Sequence, residues 1–165
     1  MSGDRVSVIR RHDIPEAIRS LDPHASDYVD LFVATTRAAT DSSPEDWARA
    51  AIEGAPAAGR FLAWRAALQL QLDSEPSPDR VGGWRIAGRD NSWIRLEASS
   101  WCMTAQMVFQ LEDGQVSFAT FMNYDRRVAA LIWTPVSAIH RAVAPDFLRG
   151  AVRRVDRRRA GTASS

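Results

Sequence analysis

The stretch "WCMTAQMVFQLEDGQVSFATFMN", residues Trp101–Asn123, alternates apolar and polar side chains with a period of two. Such alternation is typical of β-strands with one buried face, and "EDG" at 112–114 favours a tight turn between two strands. The stretch therefore predicts an antiparallel hairpin with one mostly apolar face toward a core. That face carries Trp101, Met103, Ala105, Met107, Phe109 and Leu111 on the first strand, then Val116, Phe118, Thr120 and Met122 on the second.

Shorter segments on either side of the hairpin continue the strand pattern. The stretches "GWRIA" (83–87) and "WIRLEAS" (93–99) alternate in the same way, and "VAALIW" (128–133) is an apolar run after a turn. Together they predict an antiparallel meander of about five strands. Its apolar face is either a filled core or the wall of a ligand cavity, and unbranched methionine side chains suit a ligand of irregular shape. The sheet positions that would line such a cavity are Trp84, Met103, Met107, Phe118 and Met122.

The chain becomes helical after Pro135, in "PVSAIHRAVAPDFLRGAV" (135–152). Pro135 suits a first helical turn, whereas Pro145 removes an N–H group and predicts a kink or an interruption. His140 is expected near the sheet-facing side, either as a neutral imidazole bonded to a protein group or as a polar contact for a ligand. The predicted sheet-facing stripe contains Val136, His140, Val143, Phe147 and Ala151, and its first four members complete the candidate ligand-binding set.

The part of the chain before the meander predicts a strand and two short helices. The segment Asp27–Thr36 is rich in β-branched and aromatic residues, as strands are. Ser43 and Pro44 are typical of the start of a helix, and "AAGRFLAWRAALQLQL" (57–72) resumes helical spacing after a break. We expect two short helices joined at an angle.

These elements predict one folded domain at residues 27–155. Residues 1–26 are expected to form an N-terminal arm, and residues 156–165 an arginine-rich, disordered tail. Arginines close to a helix C-terminus interact favourably with the negative end of the helix dipole. The basic run is therefore expected to be a solvated helix end. Binding of phosphate or anionic lipid there is the less favoured alternative.

Five stretches of the sequence carry a family resemblance, in this order: "DYVDLF", "PEDWARAAIEGAP", "AWRAAL", "MVFQLEDGQVSFATFMNYDRR" and "IWTPVSAIHR". Over Asp27–Arg154 the chain resembles the START-like, or polyketide cyclase/dehydratase and lipid-transport, superfamily. Within it, the chain is similar to a bacterial group of small domains of unknown function. The resemblance implies an α+β helix-grip fold, in which a curved antiparallel sheet wraps around a long C-terminal helix and two short helices follow the first strand. It also implies a hydrophobic cavity between sheet and helix, without implying a reaction.

Composition excludes several classes of partner. A net charge of +1 gives no global attraction to nucleic acid, all 21 basic residues are arginine, and the arginine run at 153–159 has no aromatic interleaving. No run approaches the roughly 18 apolar residues of a membrane span, and the N-terminal residues lack a signal-peptide core. We therefore expect no nucleic-acid partner, no stable membrane insertion and a cytoplasmic location. Nothing in the composition indicates an oligomeric state.

Motifs for metal, nucleotide or nucleophilic chemistry are missing from the sequence. The three histidines, His12, His24 and His140, are scattered, and Cys102 is the single cysteine, so we expect no metal and no cofactor. There is no phosphate-binding glycine loop and no G-x-S-x-G motif. Cys102 is expected to be a structural thiol on the strand face opposite Met103.

The pattern as a whole favours binding or sequestration of a small hydrophobic or amphipathic ligand in a cavity between the sheet and the C-terminal helix. One alternative is a cyclase, dehydratase or hydrolase in the same pocket, with His140 or Glu97 as the proton carrier. Arg95 and Glu97 share a strand face, however, and a simple exposed pair is the expected arrangement there. The other alternative is a non-catalytic interaction module with a filled core.

Overall fold

One antiparallel sheet organises the protein. The computed structural model describes residues 6–163, with only the backbone described at 60–62. Within that range the strands are β1 Val8–Arg11, β2 Tyr28–Thr35, β3 Arg80–Val81, β4 Trp84–Arg89, β5 Trp93–Ser99, β6 Met103–Glu112 and β7 Gln115–Tyr124. They pair in the spatial order β1-β2-β7-β6-β5-β4-β3, so β3 to β7 form a five-stranded meander and β1 and β2 extend it past β7.

The central hairpin is confirmed. β6 and β7 pair from Met103 with Tyr124 to Glu112 with Gln115. Asp113 and Gly114 make a two-residue turn with φ values of 49° and 74°. Positive φ at both positions is what a hairpin turn matched to strand twist requires, and Asp-Gly is a favoured pair for it.

The helices follow the predicted order. They are α1 Glu16–Arg19, α2 Pro44–Ile52, α3 Ala57–Arg60, which continues as a π-helical turn over Phe61–Ala67, and α4 Val128–Thr162. A short 3₁₀ turn covers Arg37–Thr40. Ser43 caps α2 in a reciprocal box with Asp46, and Pro44 occupies the first turn. Across the described residues, none of these helices has the length and apolarity needed to cross a bilayer.

The long C-terminal helix differs from expectation at both ends. The run at 128–133, predicted as a strand, is the first part of α4, and β3 supplies the fifth strand of the meander. Pro135 thus lies inside the helix, and the helix also continues through Pro145, so the expected interruption is wrong. Each proline removes one N–H bond, which a helix held by tertiary packing tolerates. The helix ends at Thr162, past the predicted domain end at residue 155.

Both faces of the sheet are covered. On the face that we call the helix face, α2 contacts β5 and β6 while α4 contacts β1, β2 and β7, so the long helix shares this face with α2. On the opposite face, which we call the arm face, Ile18 of α1 packs over a second cluster. The N-terminal arm therefore belongs to the fold, since its β1 pairs with β2 and its α1 covers the arm face. The arm-face cluster contains Ile18, Leu31, Val33, Val108, Ala119 and Phe121.

Candidate functional site

The five sheet residues predicted to face a ligand all lie in the helix-face core. Trp84, Met103, Met107, Phe118 and Met122 are each buried there. The ring of Phe118 stacks on Phe109 with centroids 5.0 Å apart, and Phe147 of α4 lies 5.2 Å from it. Their core position agrees with the alternation of the sequence, and their contact with a ligand stays a prediction.

The four predicted helix residues divide into two groups. Val136 and Phe147 are partly buried against the helix-face core, and the His140 side chain is 20% exposed. Val143 is 54% exposed, so its placement on the sheet-facing stripe is wrong. The buried stripe of α4 is rotated away from it and runs through Trp133, Ser137, Ala144, Leu148 and Ala151.

His140 belongs to a set of polar and aromatic side chains that we call the Asp30 cluster. Asp30 and Tyr28 come from β2, and Thr120 lies directly opposite Asp30 on β7. The remaining members come from α4, where spacings of three and four residues bring side chains to one side of a helix. The Asp30 cluster consists of Tyr28, Asp30, Thr120, Trp133, Ser137, His140 and Arg141.

Asp30 is the centre of this cluster, and its side chain is completely buried. Its Oδ2 accepts a hydrogen bond of 2.7 Å from the Tyr28 hydroxyl. The Nε2 atom of His140 lies 3.0 Å from the same oxygen, at ion-pair distance but outside hydrogen-bond alignment. Burial, and next the negative charge of Asp30, raise the pKa of Tyr28 to about 12, so its hydroxyl remains a donor at neutral pH.

Arg141 places a cation one hydroxyl group away from Asp30. Its Nη1 donates to Ser137 Oγ at 2.9 Å and to the Tyr28 hydroxyl at 3.4 Å. Aromatic rings enclose the cluster: the Trp133 ring lies 5.2 Å from Tyr28 and 5.5 Å from His140. Phe118 lies 6.4 Å from His140, which joins the polar cluster to the apolar core.

Several buried polar atoms of the helix-face core have no hydrogen-bond partner in the described part of the chain. A buried donor or acceptor left unpaired in a dry interior costs about 1–3 kcal/mol. Asp30 Oδ1 and Thr120 Oγ1 are therefore an unusual pair to find opposite each other on neighbouring strands. The unpartnered atoms of this core are Asp30 Oδ1, Thr120 Oγ1, His140 Nε2, and the Nε1 atoms of Trp47, Trp84 and Trp133.

Glu97, the other predicted proton carrier, lies on the arm face and cannot share a site with His140. Its carboxylate accepts a hydrogen bond from Arg85 and lies 3.5 Å from His24 Nε2. Arg95 does not pair with it, because its guanidinium donates to the carbonyls of Leu21 and Ala87. Glu97 and Arg95 thus hold the arm and neighbouring strands to the sheet.

Two residues at the start of β6 differ from the predicted pattern. Cys102 is buried in the helix-face core, within the turn that precedes the strand, so its expected place on the opposite strand face is wrong. Trp101 is 51% exposed and donates to Gln69 Oε1 at 2.9 Å. The strand alternation begins only at Met103, and the preceding turn does not follow it.

A second candidate, an open groove, lies at the other edge of the sheet, beside β3. It has a volume of about 660 Å³ and lies between α2, the π-helical turn and the 72–83 loop. Its arginines are already paired, Arg49 with Glu53 and Arg80 with Asp73. Since no buried polar atom of this groove lacks a partner among the described residues, the Asp30 cluster is the stronger candidate site. Within residues 6–163, no group of three or more metal-ligating side chains comes together.

No family model, curated protein or solved structure matches this chain. The START-like resemblance stays an expectation from the sequence.

The raised pKa of Tyr28 predicts a loss of stability at alkaline pH. The folded protein holds the phenol proton up to about pH 12, whereas the unfolded chain releases it near pH 10. The stabilising contribution is therefore complete below pH 10 and is lost between pH 10 and about 12. With solvent screening allowed for, wild type should lose about 1–2 kcal/mol more than Tyr28→Phe over this range.

Denaturant unfolding of both proteins at several alkaline pH values measures this difference. The chain has no lysine and only two tyrosines, so few other side chains titrate there. Tyr124, whose pKa burial also raises, is present in both proteins and cancels in the comparison. Parallel stability curves for the two proteins would contradict the prediction.

Proposed function

We propose that this protein binds and sequesters a small amphipathic molecule in the helix-face core. Its apolar part would contact the methionines and Phe118, and its polar part would contact the Asp30 cluster. One observation carries the proposal: six buried polar atoms of this core lack a hydrogen-bond partner within residues 6–163. A ligand that bears hydrogen-bonding groups would satisfy the atoms that belong to the Asp30 cluster and remove the cost of leaving them unpaired.

The character of the surrounding side chains supports the same proposal. Met103, Met107 and Met122 lie on one face of adjoining strands, where flexible thioethers can repack around a guest. The helix-grip arrangement belongs to this proposal, since the antiparallel sheet and the long C-terminal helix are the parts such a fold needs. A cytoplasmic location also belongs to it, supported by Cys102, which is a free and buried thiol.

An enzymatic role in the same site is the second candidate, favoured by the 3.0 Å approach of His140 to Asp30. A carboxylate beside an imidazole orients the ring and stabilises its protonated form, which is how a general base is commonly positioned. Glu97 contributes nothing to this candidate because it lies on the arm face.

Titration with the neutral fluorescent probe N-phenyl-1-naphthylamine tests the proposal. We expect one saturable site per folded chain with a Kd in the micromolar range, that is about 8 kcal/mol of binding free energy. The control is Leu131→Ser, which removes an apolar side chain that is 76% exposed on the outer side of α4. The control should bind the probe as wild type does. Non-saturable binding, or loss of binding in Leu131→Ser, would mean that the probe adheres to the surface and would refute the proposal.

A further inference from the structure

We infer that the ligand presents a neutral hydroxyl group to the Asp30 cluster and that the site discriminates against carboxylates. This inference rests on the proposed function and adds the chemical class of the ligand's polar group. It depends on the different hydrogen-bonding environments of the two carboxylate oxygens of Asp30.

The two carboxylate oxygens of Asp30 have different surroundings. Oδ2 accepts the Tyr28 hydroxyl and faces His140, whereas Oδ1 is buried without a partner among the described residues. An ionised carboxylate accepts hydrogen bonds and donates none. The group that satisfies Oδ1 must therefore bring an O–H or N–H.

Charge then narrows the choice of donor. A ligand carboxylate would approach Oδ1 with no hydrogen and with like charge, in an interior where screening is weak. A ligand ammonium would be placed near the guanidinium of Arg141 and the imidazole of His140. Arg141 Nη1 already donates to Ser137 and Tyr28, and His140 Nε2 faces Oδ2, so these contacts of both side chains are directed at the cluster itself and leave Oδ1 as the open position. A neutral donor avoids both conflicts.

A hydroxyl group also matches the other unpartnered atoms of the cluster. It donates one hydrogen bond and accepts up to two. Its hydrogen would bond Asp30 Oδ1, and its oxygen could accept from Trp133 Nε1, which otherwise has no partner within residues 6–163. Thr120 Oγ1, opposite Asp30 in the sheet, can donate or accept as needed. Alcohols and phenols therefore fit, whereas ethers lack the donor.

Competition with the naphthylamine probe tests this inference with 1-decanol, decyl methyl ether and decanoate, at about pH 8 where decanoate is ionised. We expect 1-decanol to bind about 100-fold more tightly than decanoate, because a site built to bond a hydroxyl rejects analogues that lack it. The ether should also bind at least about tenfold more weakly than the alcohol.

Three variants assign the discrimination to the cluster. In Asp30→Asn the side-chain amide can donate to a carboxylate, so the preference for alcohol over decanoate should fall below about tenfold. Thr120→Val keeps the side-chain shape and should weaken 1-decanol binding. Thr35→Val, the same substitution at an exposed position of β2, is the matched control and should change nothing.

The outcomes separate this inference from the proposed function. If neither the probe nor any decyl compound binds, the proposed function fails, and the inference fails with it. If the probe binds in a saturable way but decanoate binds as tightly as 1-decanol, the inference alone is overturned. Unchanged discrimination in both Asp30→Asn and Thr120→Val would overturn it as well. If Asp30→Asn does not fold, the Thr120→Val result decides.

Discussion

Replacing Trp84 with alanine should lower the free energy of unfolding by about 3–5 kcal/mol. The Trp84 side chain is 2% exposed, lies on the helix face of β4 and meets the Trp64 ring edge-on at 5.4 Å between centroids. Removing the indole leaves a cavity that the strand and its neighbours can fill only in part. Denaturant unfolding of the ligand-free protein measures the loss.

Two further variants show what the Trp84 result means. Trp84→Phe keeps most of the apolar volume and removes an N–H that has no partner within residues 6–163, so it should cost no more than about 1.5 kcal/mol. Trp101→Ala is the same truncation at a half-exposed position and should cost about 1 kcal/mol or less. If Trp84→Ala were as mild as Trp101→Ala, Trp84 would not be packed in a core.

The meander was predictable because one physical pattern determines it. Alternation with a period of two marks a sheet with one face in a core, and the Asp113–Gly114 turn fixes the register of β6 and β7. The run at 128–133 has no such alternation and is apolar throughout. A short run of this kind fits a buried strand or a helix equally well, and only the packing of α4 decides.

About half of the candidate site is predictable from the sequence. The alternation of β2 places Tyr28 and Asp30 on the same face as Phe32, and a charged residue on a buried strand face is a signal that sequence inspection could have used. Helical spacing places His140 near the sheet, but that spacing does not give the rotation of the helix about its axis. A small rotation turns Val143 to solvent and brings Ser137 and Arg141 toward Asp30.

The N-terminal arm could not be assigned from its sequence because its structure depends on tertiary contacts. Its helix α1 has only four residues, far too short to be stable alone, and β1 is a short edge strand. What holds the arm is the apolar arm face of the sheet, where Leu31, Val108 and Phe121 would otherwise meet water. The folded unit therefore includes residues that the pattern of the sequence places outside the domain.

Ile18→Ala should accordingly lower the free energy of unfolding by about 2–5 kcal/mol, the range for truncating a buried isoleucine. Ile18 is 2% exposed over the arm-face cluster, whereas Ile9 of the same arm is 61% exposed. Ile9→Ala is thus a matched control and should cost about 1 kcal/mol or less. Chemical denaturation of the two variants and wild type provides the comparison.

Equal, small losses for both would mean that the arm contributes little to the fold and that the domain does begin near residue 27. A large loss confined to Ile18→Ala would mean that α1 serves as the cover of the second face. The α1 cover lies directly behind the Asp30 cluster, because Asp30 and Leu31 are consecutive residues of β2 that point to opposite sides of the sheet.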